Sequence, residues 1–455
     1  MIAGGWEIYG DLYGTAAMRA IFSARGRLRA LLDVEVALAR AQARLGIIPA
    51  AAAEAIAGAA DVDRLDVTEI TARTNVVGYP VVPLTAQLAR LAGADAGRYV
   101  HWGATTQDIL DTATVLQLTE AFALIEADVR GIVDALAPRA RGHRDDVMAG
   151  RTHLQHALPI TFGYACALWL HPLIAHGERL RGVRERVRTV QFGGAVGTLA
   201  SLGARGRDVT VALAEDLGLR VPDAPWHADR SAFAEAACAL GLLCGSLAKF
   251  ATDVALLTQT EVGEVFEPHE PGRGASSAMP QKRNPIASEY VLAAVRGVHA
   301  LVPVMLAAMA GDYQRSTGPW QSEEIALPQI CVLASAACAH ALQIARGMTV
   351  DTARMRRNVD ATGGLIVAEA VATALSVSLG RERAHAAVER AASAALESHR
   401  AFGDVLAETP EIAERFDRAA LAALLDPTRS TGEAGAVIDR VLARIPHPTR
   451  NEGSP

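Results

Sequence analysis

From Asp108 onward, Leu118, Phe122, Ile125, Val129, Ile132, Val133 and Leu136 recur at intervals of one, three or four residues. That spacing lines one face of an α-helix and does not fit the two-residue period of a strand. Similar periodic segments return across roughly 160–190, 229–262, 286–311 and 323–348. A first helix is expected over 16–45, where Leu28, Leu31, Leu32, Leu38 and Leu45 share a face and Gly46 and Pro49 stop it. The second is expected to end at Pro138. No stretch alternates with period two for long enough to build a large sheet. Long amphipathic helices bury their stripes against one another, so the chain reads as all-α with a central bundle of long helices.

With 455 residues the chain can bury large cores in two or three domains. It is 51% hydrophobic but only 5% aromatic, the balance of an Ala/Leu-rich helical protein. The net charge of −6 argues against a nucleic-acid surface, although a local basic pocket could still bind an anionic substrate. Cys166, Cys238, Cys244, Cys331 and Cys338 form no CxxC pair and read as small core residues in a reducing cytosol. The N-terminus lacks the basic start and apolar core of a signal peptide. The most apolar stretch, around Phe162 to Ile174, is interrupted by His171 and Pro172 and is too short to span a bilayer. A cytoplasmic location without membrane partners is therefore expected. Near Gly347-Met348-Thr349-Val350 the pattern resets into shorter, alanine-rich helices.

Three polar islands interrupt the apolar pattern. The first, His101-Trp102-Gly103-Ala104-Thr105-Thr106-Gln107-Asp108, precedes a long helix and can cap it or bind a carboxylate. The second is Gly150-Arg151-Thr152-His153-Leu154-Gln155-His156, where a structural histidine and a site are both open readings. The third runs from Gly274 through Ala275, Ser276, Ser277, Ala278, Met279, Pro280, Gln281, Lys282 and Arg283 to Asn284-Pro285. Small residues give it freedom, two hydroxyls offer a nucleophile or a base, and Lys282 and Arg283 supply charge. Asn284-Pro285 reads as an N-cap with proline in the first helical turn, beside a helix end that favours anions. A plain basic surface loop is the alternative.

In order and spelling the islands resemble the signature regions of the fumarase/aspartase superfamily. Within it, the 3-carboxy-cis,cis-muconate cycloisomerase group is the nearest in text. That likeness rests on Gln191-Phe192-Gly193-Gly194, Pro225-Trp226-His227, Gln259 to Pro268 and Arg315-Ser316. Adenylosuccinate lyases share Thr260-Glu261-Val262-Gly263-Glu264. The resemblance implies an all-α three-domain fold, divided here as 1–108, 109–346 and 347–455. It implies a homotetramer in which each active site draws its three regions from three subunits. It also implies a small di- or tricarboxylate substrate and chemistry without metal or organic cofactor; the histidines show no ligand spacing such as HExxH.

The same resemblance makes Ser276 the base that removes a proton next to a carboxylate. Lys282 and Asn284, with Arg283 beside them, would hold that carboxylate. Thr105, Thr106, Gln107 and Thr152 would hold the other end, with Asn75 and Arg315 as further binding candidates. Two positions depart from the bacterial cycloisomerases: His153 stands where tryptophan is usual, and Glu289 where a small residue is usual. Fumarase-like enzymes carry both as a pair, in which the carboxylate supports a charged imidazole. The pair turns the expectation toward a β-elimination lyase that acts on a substituted succinate and releases fumarate with an amine, nitrite or similar group. The alternative is the cycloisomerase. Adenylosuccinate lyase and a non-catalytic structural oligomer are more distant readings. Ala275, where glycine is usual, departs from the signature within the loop itself.

Overall fold

The computed structural model describes residues 6–274, 278–279 and 281–445. Five long helices dominate it: Thr106–Gly142, Phe162–Val187, Ser231–Leu257, Ile286–Ala307 and Pro319–Gly347. Each falls on a segment whose periodicity predicts it. Pro138 does not end the first of them; it lies inside, and the helix runs on to Gly142. One proline removes one backbone donor, and the apolar stripe that continues through Ala137 and Ala140, both buried, holds the last turn in place.

The helix expected over 16–45 is two helices, Ala16–Ile21 and Ala24–Arg44. Ser23 caps the second by accepting a hydrogen bond from Gly26 N–H. Gly26 makes the tight corner possible, since a Cβ there would lie 2.3 Å from the Ala20 carbonyl oxygen. The segment that carries Gly78, Tyr79, Pro80 and Pro83, residues typical of turns, is mostly helical as well. Val67–Val77 ends on the left-handed Gly78 (φ 89°), and Val81–Ala92 begins directly after Pro80.

Two compact units divide the chain. One takes in residues up to Asp128, His176–Leu247 and Tyr290–Ala339. Its core gathers Leu31, Leu38, Ile56, Leu84, Leu88, Ile109 and Leu213 from short and long helices alike. The other takes in Val129–Ala175, Ala248–Glu289 and the chain from His340. There Val371, Leu375, Ala387, Phe402 and Leu406 form the core of the C-terminal helices.

The second unit also holds a small antiparallel hairpin, Val147–Thr152 with Gln155–Thr161. Val147 and Ala149 pack it onto Val359, Ile366 and Val367. A register shift falls between Ala149 and Arg151, at Gly150, where a Cβ would meet the Leu158 carbonyl oxygen at 2.7 Å.

The stretch around 162–174 is not the most apolar helix. Ser231–Leu257, Ile286–Ala307 and Pro319–Gly347 are each long and apolar enough, by length and composition, to cross a membrane. Burial differs sharply between them: 67% of the most apolar window is buried in Pro319–Gly347, but only 28% in Ile286–Ala307. Each of the three still leaves a large apolar residue exposed on the single chain: Leu242, Leu306 and Ile325 respectively.

Candidate active site

In the first unit the site begins where helix Thr106–Gly142 begins. Thr105 precedes it, and its N–H donates to Asp108 Oδ2 at 2.9 Å. A carboxylate three residues into a helix that reaches back to the residue before it is half of a capping box. Asp108 does more than cap. It is fully buried, and it also accepts from Gly193 N–H (2.9 Å), Gly194 N–H (3.0 Å) and His227 Nε2 (2.7 Å). Its two oxygens therefore tie two separate segments to the helix start.

Neighbouring bonds lock the same segments. Gln107 Nε2 donates to the His227 carbonyl at 3.0 Å. Gln191 Oε1 accepts from Trp226 N–H at 2.7 Å, and Thr112 exchanges hydrogen bonds with the Gln191 backbone. Thus Gln191–Gly194 and Trp226–His227, two of the stretches that carry the family likeness, form the cradle of Thr105, Thr106 and Gln107. Gln107 is fully buried, and its Oε1 has no partner among the described residues. Arg315 reaches the same corner, where its Nη2 donates to Thr105 Oγ1 and, at 3.2 Å, to the Ala195 carbonyl.

One turn deeper, Arg230 is buried between Asp111 (2.7 and 2.9 Å) and Glu323 (2.9 and 2.5 Å). Burial alone would lower the Arg230 pKa; the two carboxylates outweigh it and leave it raised. Burial raises the Glu323 pKa despite that partner. Asp111 and Glu323 border a cavity of about 310 Å³ lined also by Arg27, Thr114, Gln117 and Trp320. On the other side of the helix start, His101 Nδ1 meets buried Glu35 at 2.6 Å. Burial works against a charged His101, but Glu35 prevails and its pKa is raised.

In the second unit Thr152 and His153 sit at the hairpin tip. Thr152 pairs with Gln155, which leaves His153-Leu154 as a two-residue turn with φ of 51° and 63°. Positive φ at both positions is the type I′ requirement, normally met by Asn and Gly. Here a histidine and a 74% exposed leucine adopt it. Arg151, just before the tip, makes a two-pronged bond to buried Glu264.

The third island lies in the same unit. Its neck is closed by the Asn284 N–H, which donates to the Gly274 carbonyl at 3.1 Å. Gly274 has φ of 64°, and a Cβ would approach Asn284 O to 2.5 Å, so glycine is required there. Lys282 and Arg283 are exposed and Asn284 is half-buried. Ser276 and Ala275 lie outside the described residues.

The helix after the loop starts at Ile286, so Pro285 precedes it rather than occupying its first turn. Nor is that helix end open to a substrate anion. Glu267 takes it, accepting from Ala287 N–H (2.9 Å), Ser288 N–H (2.7 Å) and Ser288 Oγ (2.7 Å). Glu289, in the first turn, is exposed, as is His153, and the two make no bond to each other within the chain.

The structure thus joins Thr105, Thr106, Gln107 and Arg315 in one unit. The other holds Thr152 and His153 on a hairpin, and Lys282, Arg283, Asn284 and Glu289 on the loop and its following helix. Asn75 is helical and exposed on Val67–Val77 and makes no bond to the Thr105 group. Sequence reasoning did not single out Asp108, Arg151, Glu264 or Glu267 for a role. The Thr105-x-x-Asp108 spacing could have flagged the first; the others depend on partners distant in the chain.

Known proteins resemble this chain along most of its length. A family profile described as lyase matches residues 13–299, and one described as adenylosuccinate lyase C-terminus matches 364–441. The 3-carboxy-cis,cis-muconate cycloisomerase of Pseudomonas aeruginosa is 44% identical over 97% of this chain and 98% of its own. The crystal structure of a 3-carboxy-cis,cis-muconate lactonizing enzyme from Pseudomonas putida superposes with a TM-score of 0.92. It is 42% identical, over 96% of this chain and 99% of its own. The crystal structure of a fumarate lyase from Mesorhizobium sp. BNC1 superposes with a TM-score of 0.89. It is 45% identical, over 95% of this chain and 98% of its own.

Proposed function

This chain belongs to the fumarase/aspartase superfamily of lyases, with that superfamily's all-α fold, and on that footing we propose that it is a cycloisomerase that lactonises 3-carboxy-cis,cis-muconate. The observation that carries the choice is the end-to-end likeness to cycloisomerases, at 44% identity over nearly the whole of both chains. The expectation of a β-elimination lyase thereby becomes the second reading.

The two readings share one reaction core. In lactonisation a carboxylate oxygen of the substrate bonds to an alkene carbon. The alkene electron pair moves to the neighbouring carbon and into its carboxylate, giving an aci-carboxylate, and that carbon then takes one proton. Run backwards, this is proton removal followed by β-elimination with a carboxylate as the leaving group. The enzyme must bind the aci-carboxylate more tightly than the ground state. Lys282 and Asn284 serve that carboxylate, with Arg283 adding charge. Ser276 carries the proton to and from carbon. Thr105, Thr106, Gln107 and Thr152 hold the far end, Asn75 borders it, and Arg315, bonded to Thr105, offers a guanidinium for an additional carboxylate. Neither a metal nor an organic cofactor is required.

His153 and Glu289 favour the second reading, elimination of an amine or nitrite from a substituted succinate to leave fumarate. A carboxylate leaves without a proton, whereas an amine needs one, and an imidazole supported by a carboxylate can give it. The two readings separate on product: lactone from 3-carboxy-cis,cis-muconate with no fumarate from succinyl compounds supports the first, and the converse supports the second.

The working form is proposed to be a cytoplasmic homotetramer, divided along each chain as 1–108, 109–346 and 347–455, with sites shared between subunits. The exposed apolar face of Ile286–Ala307 supports self-association. Sharing would also let His153 of one subunit meet Glu289 of another. A monomer in light scattering at working concentration would remove this part.

A further inference from the structure

Glu264 is fully buried, so it cannot touch substrate, and the chemistry above gives it no part. Its carboxylate is nevertheless among the most completely engaged in its unit. Arg151 Nη1 donates to Oε2 at 2.9 Å and Nη2 to Oε1 at 2.7 Å. Asn358 Nδ2 adds a bond to Oε1 at 2.6 Å. A two-pronged guanidinium–carboxylate bond fixes orientation as well as distance.

The base of this clamp is held on several sides. Glu264 N–H donates to the Leu257 carbonyl at 2.9 Å, and Glu264 O accepts from Asp351 N–H at 2.9 Å. Val265 pairs with Val350 in the next residue pair. Asn358 Nδ2 and Arg354 Nε both donate to Val262 O at 2.9 Å. The anchor therefore belongs to the end of helix Ser231–Leu257, the two-residue strands Val265–Phe266 and Thr349–Val350, and helix Thr352–Asp360.

The other end of the clamp is the hairpin tip. Arg151 lies opposite His156, one residue before Thr152. His153 and Leu154 then occupy left-handed backbone that non-glycine residues keep only when their surroundings impose it. Such conformations concentrate where a side chain must be aimed. A strained tip, a firmly held base and one rigid charged link between them form a positioning device.

We propose that Glu264 is a positioning residue that acts through Arg151 to set the place and orientation of Thr152 and His153. The role in catalysis rests on the reading above that Thr152 and His153 meet substrate. Placement errors near 1 Å cost about 10²-fold in rate, so losing the link should register in turnover without Glu264 ever touching the reactants.

The test uses the full-length protein with Glu264→Gln, Arg151→Gln and the double variant. Hydrogen–deuterium exchange across the hairpin should rise about tenfold or more at 151–156 in each single variant, with helix Thr106–Gly142 unchanged. The ratio kcat/KM should fall about 10²-fold, and the double variant should fall no further than either single one. Should E264Q fail to fold, Arg151→Lys keeps the charge, loses the fork and carries the same readouts. Unchanged exchange at the tip, or additive losses in the double variant, overturns the proposal even where His153→Gln is slow; the site reading then stands. Faster exchange combined with full activity of both His153→Gln and Thr152→Ala places the fault in the site reading, and the catalytic role of Glu264 falls with it.

Discussion

Replacing Asp108 by asparagine should be one of the most damaging near-isosteric changes in the first unit. The carboxylate accepts four hydrogen bonds: two backbone donors and His227 come from distant segments, and Thr105 N–H comes from its own cap. Asparagine has the same shape but turns one acceptor into a donor. With its oxygen at the Oδ1 position it keeps Gly193 and His227 but sets an NH₂ group against Thr105 N–H and Gly194 N–H. The opposite orientation loses Gly193 and His227. Either way two buried donors lose an acceptor, at about 1–3 kcal/mol each, so the fold should lose about 2–6 kcal/mol. Urea unfolding at fixed protein concentration reads this directly, because linked oligomerisation is then held constant. Protein that remains folded should also show a raised KM, since the same bonds seat Thr105, Thr106 and Gln107. A loss below about 0.5 kcal/mol with normal KM would refute the reasoning, because surface changes alone reach that size.

Other consequences are smaller. Leu154→Gly removes the left-handed penalty and should raise stability by about 1 kcal/mol, provided the turn is kept, as read by the urea midpoint. Glu267→Ala uncaps helix Ile286–Ala307 and should cost about 1–2 kcal/mol in the same assay, together with slower turnover because the loop stem loosens. His176 is held neutral between Arg179 and Ser246, and burial, then Arg179, lowers its pKa to about 4. Its folded pKa lies below the unfolded value near 6.5, so its contribution is present above that pH and is lost as pH falls toward 4. His176→Gln should flatten the fall in stability over that window in pH-dependent unfolding. His101 runs the other way: Glu35 raises its folded pKa, so its contribution is full below about 6.5 and fades as pH rises through the folded value. His101→Gln should flatten that alkaline-side fall in the same assay.

The long helices were legible because a stripe of period 3.6 is written locally. Thr105-Thr106-Gln107 was legible as a helix start for the same reason. What holds it was not, since Gly193, Gly194 and His227 reach Asp108 from 85 to 119 residues away. The hairpin around Thr152 and His153 escaped because its strands are six and seven residues long and show no clean alternation. It exists through packing on Val359 and Ile366 and through Arg151–Glu264, all remote in sequence. Pro138 is a poor local stop signal here, because the buried Ala137 and Ala140 outweigh the single backbone bond it removes. The open helix end expected after the loop is filled by Glu267, twenty residues earlier, which no local pattern announces. Glu289 and His153 are both exposed and make no bond to each other within one chain, so the pair suggested by the spelling is not one that a single chain forms.

The proposed lactonisation delivers one proton to the carbon beside a carboxylate, with Ser276 as its carrier. Turnover of 3-carboxy-cis,cis-muconate in D₂O, followed by mass spectrometry and proton NMR, tests it most directly. The lactone should carry one deuteron on the carbon next to the carboxylate, and Ser276→Ala should slow its formation by about 10²–10⁴-fold. Absence of the lactone, or a Ser276→Ala enzyme that forms it at an undiminished rate, would contradict it.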